Sequence, residues 1–229
     1  MIPLRDNIPT STLPIITIGL IFVNISIFFW QRFVLHPNVA ELVYRYYGFV
    51  PRELVVAFTD QWGLAPYNIM TLFTSMFLHG GLLHLAGNML YLWIFGNNVE
   101  DSFGHIKFIV FYLISGVVAA GFQFFYDPSS NLPMIGASGA VSGVLGAYLV
   151  LYPYARGKTL LIIIIFIKVI EIPAILLLTI WFLMQVLYSA NMNGIAWYAH
   201  IGGFIFGLIT AKLFAMRSGS KSRRSRGKT

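Results

Sequence analysis

Six apolar stretches separated by shorter polar or charged intervals organise this chain. They run from Leu13 to about Leu35, Gly80 to Gly96, Ile106 to Tyr126, Ile135 to Tyr152, Ile172 to Tyr188 and Ile195 to Met216. A helix that crosses a bilayer needs about 20 predominantly apolar residues, so the pattern predicts an all-α membrane protein with six transmembrane helices. The second and fourth stretches are short for that task. They are expected inside a ring of longer helices, with ends that open into a hydrated cavity below the membrane surface.

Between the first two stretches the pattern breaks. From His36 to Phe73 three prolines, Pro37, Pro51 and Pro66, alternate with charges and many aromatics, which predicts a long structured loop in the membrane interface. A second ambiguity lies between Thr159 and Ser189, about thirty residues that one tilted helix could barely use. Lys168, Glu171 and Pro173 resolve it: proline suits the first turn of a helix, and charges suit an interface. Arg156 to Glu171 is therefore expected to be an apolar surface loop, with the fifth helix starting near Ile172. The domain division that follows is an N-terminal cytoplasmic segment at residues 1–12, a six-helix membrane domain at 13–216 and a basic disordered cytoplasmic tail at 217–229.

Composition agrees with the membrane reading: 58% of the 229 residues are hydrophobic, 10% are charged, and the mean hydropathy is +0.77. The net charge of +7 is mostly a property of the tail, since seven of the fifteen Lys and Arg fall between Lys212 and Lys228. That distribution speaks to orientation and anionic lipid before nucleic acid. With an even number of spans and Arg156, Lys158 and Lys168 on the same side as the tail, both termini are expected in the cytoplasm and the long first loop outside. The N-terminus lacks the small-residue cleavage site of a secretory signal, so the first helix reads as retained. The absence of cysteine excludes disulfides, thiolate metal sites and a cysteine nucleophile.

The candidate chemistry lies in the few polar groups inside apolar stretches, where each is costly enough to count as a functional-site hypothesis. Ser138 begins the fourth, in a run where Gly136, Gly139, Gly143 and Ala147 form a seam of small residues that lets helices approach closely. The second carries His84 and Asn88, at i and i+4 on one helix face, with His79 just ahead at the expected outer mouth. The sixth opens with His200 beside a second seam made by Ala199, Gly203 and Gly207. Singly, each reads as a buried polar group bonded to a neighbouring helix. Together they supply a hydroxyl nucleophile, an imidazole base and donors for an oxyanion, the parts of an acyl-transfer site. A metalloprotease motif is absent, since His84 is followed by Leu85, Ala86, Gly87 and Asn88 and not by the spacing HExxH. No Asp lies within a predicted span, and Glu100, Asp101 and Asp127 read as loop residues, which disfavours an aspartyl mechanism. The chain also lacks a long internal repeat, which disfavours a transporter built from repeated halves.

GASG around Ser138, His84-xxx-Asn88 and AHIGG around His200 resemble the rhomboid family of intramembrane serine proteases, in the family's order and over nearly the whole chain. The resemblance implies a six-transmembrane-helix rhomboid-like bundle with a long interfacial first loop and a Ser138–His200 dyad. It also implies that His84 and Asn88 are oxyanion donors, that Gly136, Gly139, Gly203 and Gly207 are structural near the site, and that no cofactor or metal takes part. The implied activity is endopeptidase cleavage of transmembrane segments of other proteins, with the lipid bilayer and those substrates as partners and no nucleic acid. The alternative is a catalytically silent rhomboid-like scaffold that binds transmembrane clients. The implied location is multi-pass in a prokaryotic plasma (inner) membrane. Glu100 and Gly104 resemble the family's ExxxG, a structural element. Three residues depart from some members: Met70 and Thr71 stand in place of a Trp-Arg pair, and Ser142 in place of a tyrosine that stacks on the base.

Overall fold

The computed structural model describes residues 2–163, 166–189 and 195–216; the predicted tail at 217–229 lies outside them. Among the described residues three helices are each long and apolar enough to cross a membrane. The first is α1 (Ile15–Phe29), prolonged by a wider turn over Trp30–Val34; the others are α7 (His105–Tyr126) and α10 (Trp197–Met216). A fourth crossing is supplied only if the pair Trp62–Phe77 and Leu82–Phe103, bent by 84°, is counted as one. That pair holds α4 (Ala65–Thr74), then α5 (Leu82–Tyr91), a wide turn at Leu92–Gly96 and α6 (Asn97–Phe103). Two apolar helices are shorter, α8 (Ser138–Leu151) and α9 (Ala174–Ser189). All six predicted stretches thus contain a helix. The second is longer than its sequence suggested, because the helix runs past Gly96 through residues that read as a charged loop.

The position of α8 follows from its side chains. Its nine consecutive residues from Ala140 to Tyr148 are all buried, so the helix has no lipid-facing side over that length. Small residues make this possible. Side chains added at Gly203 and Gly207 of α10 would collide with the carbonyl oxygens of Gly139 and Gly143, and one at Gly146 would collide with that of Phe204. Backbones in such contact gain van der Waals energy and exclude lipid. On its other flank α8 meets α7, where a methyl at Gly139 would come within 2.7 Å of Ala119 Cβ.

At the end of the bundle that holds the N-terminus, acidic residues join the elements. Glu100 is fully buried; its carboxylate accepts the backbone N–H of Ile16 (2.9 Å) and Thr17 (2.8 Å) and the Thr17 hydroxyl (2.7 Å), and lies 2.6 Å from His105 Nδ1. The first turn of a helix has N–H groups without intrahelical partners, and this carboxylate satisfies two of them in α1. Asp101 does the same for the segment ahead, accepting from the backbone and hydroxyl groups of Ser11 and Thr12. Glu100 and Asp101 are therefore helical residues that cap α1 and its leader, and not loop residues. Gly104 ends α6 with φ +78°, a left-handed conformation that favours glycine and lets α7 start at once. The resemblance to ExxxG thus has a physical basis in this chain.

The predicted surface loop at Arg156 to Glu171 is instead a β-hairpin. Strands β2 (Arg156–Ile163) and β3 (Phe166–Pro173) pair antiparallel, and β1 (Ile2–Arg5) adds to the free edge of β2, giving the order β1-β2-β3. Opposite charges, Lys158 and Glu171, face each other across it. The chain after the strand is anchored by Asp6, which accepts from Tyr148 Oη (2.5 Å) and Asn98 Nδ2 (2.6 Å). Burial raises the pKa of the Asp6 carboxyl, and the Tyr148 hydrogen bond opposes that shift.

The stretch from His36 to Phe73 is a structured excursion, holding α2 (Pro37–Tyr47), α3 (Pro51–Thr59) and most of α4. With Met70 exposed and Thr71 buried, its bracing comes from hydroxyls on backbone carbonyls: Thr74 on Tyr47 (2.7 Å), Tyr67 on Tyr46 and Tyr44 on His79 (3.0 Å). A two-way backbone bridge between Phe49 and Met134 and a bond from Gly136 N–H to the Ser75 carbonyl (2.9 Å) tie this region to the segment that leads into α8.

Candidate active site

Three helix ends converge on a cleft of about 1080 Å³ whose walls include His84, Asn88, Gly136, Ser138, Gln185 and His200. Ser138 is the first residue of α8, and His200 lies in the first turn of α10. The glycine contacts between these two helices set their spacing, and Ser138 Oγ lies 2.8 Å from His200 Nε2. A hydroxyl hydrogen-bonded to an imidazole is the pair that general-base activation of a serine requires.

The ring of His200 is held on its other sides as well. Its Nδ1 lies 2.8 Å from Oε1 of Gln185 on α9, and the Gln185 amide donates to the Trp181 carbonyl one turn back (3.4 Å). Trp197 meets the ring edge-on at 5.9 Å and 87°, and the Trp181 ring lies 6.4 Å away. Ser142, where a stacking tyrosine stands in some relatives, is buried and gives its hydroxyl to the Ser138 carbonyl at 2.6 Å. The residues around His200 are thus an amide and two indoles.

The opposite wall comes from α5. His84 and Asn88 both face the backbone of Gly136: a Cβ there would come within 2.6 Å of His84 Nε2 and 3.7 Å of Asn88 Nδ2. Gly136 also has φ +118°, so both conformation and space require glycine two residues before the serine. His79 is not at an outer mouth. It is fully buried, its Nε2 lies 3.0 Å from Asn88 Nδ2, and its ring packs edge-on against His84 at 5.1 Å. Among the described residues no three His, Asp or Glu come together as metal ligands would, so His79, His84 and His200 do not form such a group.

Ser138, His200, His84, Asn88, Gly136 and Gly139 all line this one cleft, whereas Gly203 and Gly207 lie outside its lining, against the α8 backbone at Gly139 and Gly143. Gln185 and the partnership of His79 with Asn88 were not anticipated. The signal for Gln185 was present: an amide inside an apolar span is costly unless it has a partner, and that rule applies to it as it does to Asn88.

A family model described as a rhomboid domain matches residues 66–217, about two thirds of the chain. The chain belongs to the rhomboid family. Among similar proteins, the mitochondrial rhomboid protein 1 of Saccharomyces cerevisiae is 32% identical over 146 residues, covering 59% of this chain and 39% of that protein. Rhomboid protease GluP of Bacillus subtilis is 33% identical over 140 residues, covering 61% and 25%, and rhomboid protease AarA of Providencia stuartii is 29% identical over 148 residues, covering 58% and 49%. The matched stretch thus spans between a quarter and a half of each of these relatives. With its long apolar helices, this rhomboid is an integral membrane protein. Bacterial and mitochondrial relatives appear side by side, so the expectation of a prokaryotic plasma membrane gains no support over a mitochondrial one.

Proposed function

We propose that this rhomboid is an intramembrane serine endopeptidase that cleaves transmembrane segments of other membrane proteins. The observation that carries this is the 2.8 Å contact between Ser138 Oγ and His200 Nε2 at the wall of a large cleft. In the proposed reaction His200 takes the hydroxyl proton as Ser138 Oγ attacks the scissile carbonyl, then returns it to the leaving amine. The negative charge on the tetrahedral intermediate meets the Ser138 backbone N–H at the start of α8, His84 and Asn88. No cofactor or metal enters these steps. A helical substrate hides its carbonyls in its own hydrogen bonds, so the segment must unwind locally, which favours Gly or Pro near the cut.

The reading includes the topology. It has six spans, with α8 and α9 crossing as short helices; an even number puts both termini on one side, and Arg156, Lys158, Lys168 and the basic tail mark that side as cytoplasmic. Single cysteines introduced into this cysteine-free chain test it: residues of α2 should label from outside and residues 221–228 from the cytoplasm. Labelling of α2 from the cytoplasm would refute the six-span count.

The rival reading is a silent scaffold that binds transmembrane clients without cutting them, and the presence of both Ser138 and His200 in hydrogen-bond contact weighs against it. The deciding experiment compares cleavage of a reporter transmembrane segment by the purified wild type and Ser138→Ala. Cleavage by the wild type alone supports the protease. Co-purification of the segment with both, uncut, would establish the scaffold.

A further inference from the structure

We propose that Gln185 is the positioning residue for the His200 imidazole, and that through it the competence of the base depends on where α9 lies. This rests on the protease reading and adds a third group to it, on a helix that carries neither the nucleophile nor the base.

The hydrogen bonds assign the protons. Nε2 must be unprotonated to accept from Ser138, so the single proton of neutral imidazole is on Nδ1, and that N–H points at Gln185 Oε1, 2.8 Å away. The amide cannot turn over without loss, because its NH2 group is used by the Trp181 carbonyl. Gln185 is also buried at 7% exposure, so water does not compete freely for the position. In the attack step the Ser138 proton moves to Nε2 and Nδ1 keeps its own, leaving an imidazolium. The bond from Nδ1–H to the glutamine oxygen then becomes charge-assisted and stronger, so the amide dipole favours the transition state over the resting enzyme. A carboxylate usually fills this role; an amide oxygen can fix the tautomer and orient a dipole, though it carries no charge.

The location of Gln185 adds a consequence. Ser138 and His200 sit on α8 and α10, locked together through glycine backbones, whereas α9 rests on α10 through rings: Phe182 stacks on Phe204 at 4.8 Å, Trp181 lies 5.8 Å from Phe204, and Tyr188 lies 5.4 Å from Trp197. Aromatic pairs stay favourable over centroid separations of about 4.5–7 Å and in more than one orientation, whereas a 2.8 Å hydrogen bond is lost after a displacement of about 1 Å. Outward movement of α9 would therefore leave Ser138 and His200 in place and free the ring to take the other tautomer. The base is set only while α9 is closed against α10.

The test measures labelling of Ser138 by a small fluorophosphonate, in which Oγ bonds phosphorus, fluoride leaves and the hydroxyl proton passes to His200. It needs no helix to enter the cleft. Beside it, kcat and KM are measured on a transmembrane reporter for the wild type, Gln185→Met and Gln185→Glu. Gln185→Met, similar in shape but lacking the acceptor, should slow labelling and lower kcat about 10- to 100-fold with KM little changed, the range typical when the hydrogen-bond partner of a metal-bound imidazole is removed. Gln185→Glu keeps an oxygen in place and should retain most of the labelling rate. Labelling of Gln185→Met at the wild-type rate, or equal losses in Met and Glu, would overturn the role; Gln185→Asn, one methylene short, substitutes for Met if that variant does not fold. For the coupling, Phe182→Ala should slow labelling of the wild type and have no further effect on Gln185→Met; equal slowing in both backgrounds, or none in either, would refute it. A wild type that shows no labelling dependent on Ser138 would instead sink the protease reading itself.

Discussion

The carbonyl oxygen of Gly139 occupies the space that any side chain on Gly203 would need. Four residues further along both helices the relation repeats between Gly143 and Gly207, so α8 and α10 meet backbone to backbone directly below Ser138 and His200. A carbonyl cannot rotate aside as a side chain can, and overpacking in such a place costs about 1–3 kcal/mol or more. Gly203→Ala and Gly207→Ala should therefore each lower the melting temperature in detergent, and Leu should do so more severely. A displacement of about 1 Å at the chemistry costs about 10²-fold in rate, so activity should fall further than stability alone predicts. Gly121→Ala on α7, with nothing within 4 Å of the added methyl, is the control. Full activity with Leu at both 203 and 207 would show that the seam does not set the spacing of Ser138 and His200.

Ser138→Ala and His200→Ala are each expected to abolish cleavage while leaving the folded amount in membranes nearly unchanged. Both face the cleft, so truncation opens little apolar void. Two groups that act in one proton transfer are not additive, so the double variant should be no slower than either single variant. A double variant slower than both by the product of their effects would separate the two residues' roles.

Much of this arrangement was legible from spacing, and the parts that were not share a physical cause. Small residues at intervals of four marked the α8–α10 seam because close approach needs them periodically, and polar groups in apolar helices marked Ser138, His84, Asn88 and His200 because lipid penalises them. The hairpin at β2 and β3 was misread as a loop. Its run Leu160–Val169 lacks the alternation of a half-exposed strand, and its tip lacks the Asn-Gly or Gly-Gly pair that announces a tight turn. Glu100 was misread for a similar reason: a carboxylate looks like a helix terminator until one sees that the partner it satisfies, the start of α1, is more than eighty residues away.

That partner makes Glu100 a stability residue. Glu100→Ala would leave the part-buried Ile16 N–H and the buried Thr17 N–H without their acceptor, at about 1–3 kcal/mol for the buried group. For a chain of this size a loss of 1 kcal/mol lowers the melting temperature by about 2–4 °C, so a drop of at least several degrees is expected. Glu100→Gln, which keeps one acceptor oxygen, should fall between. Because the site lies at the opposite end of α5 and α6 from His84, the kcat of whatever remains folded should be near the wild-type value. Full thermal stability in Glu100→Ala would refute the cap.

Asn88 gives the sharpest test of the oxyanion reading, because the alternative role is now specific. Its amide nitrogen lies 3.0 Å from His79 Nε2 and faces Gly136, two residues before the serine. An NH2 group has two hydrogens: one can satisfy His79, and the other is left for a charge that develops on the attacked carbonyl. Donors aimed at developing charge lower the barrier without tightening ground-state binding. Asn88→Ala should thus lower kcat about 10²- to 10³-fold with KM little changed, and His84→Ala should do at least as much. His79→Ala acts through Asn88 and should cost less, and in the Asn88→Ala background it should cost almost nothing more in kcat. If Asn88 served only to satisfy the buried His79, the variants would lose thermal stability in parallel with activity, and the loss of kcat would vanish once rates were corrected for folded fraction. Measuring kcat, KM and melting temperature for the two single variants and the double separates these accounts: a rise in KM alone, or additive losses of kcat at positions 79 and 88, would remove Asn88 from the oxyanion site.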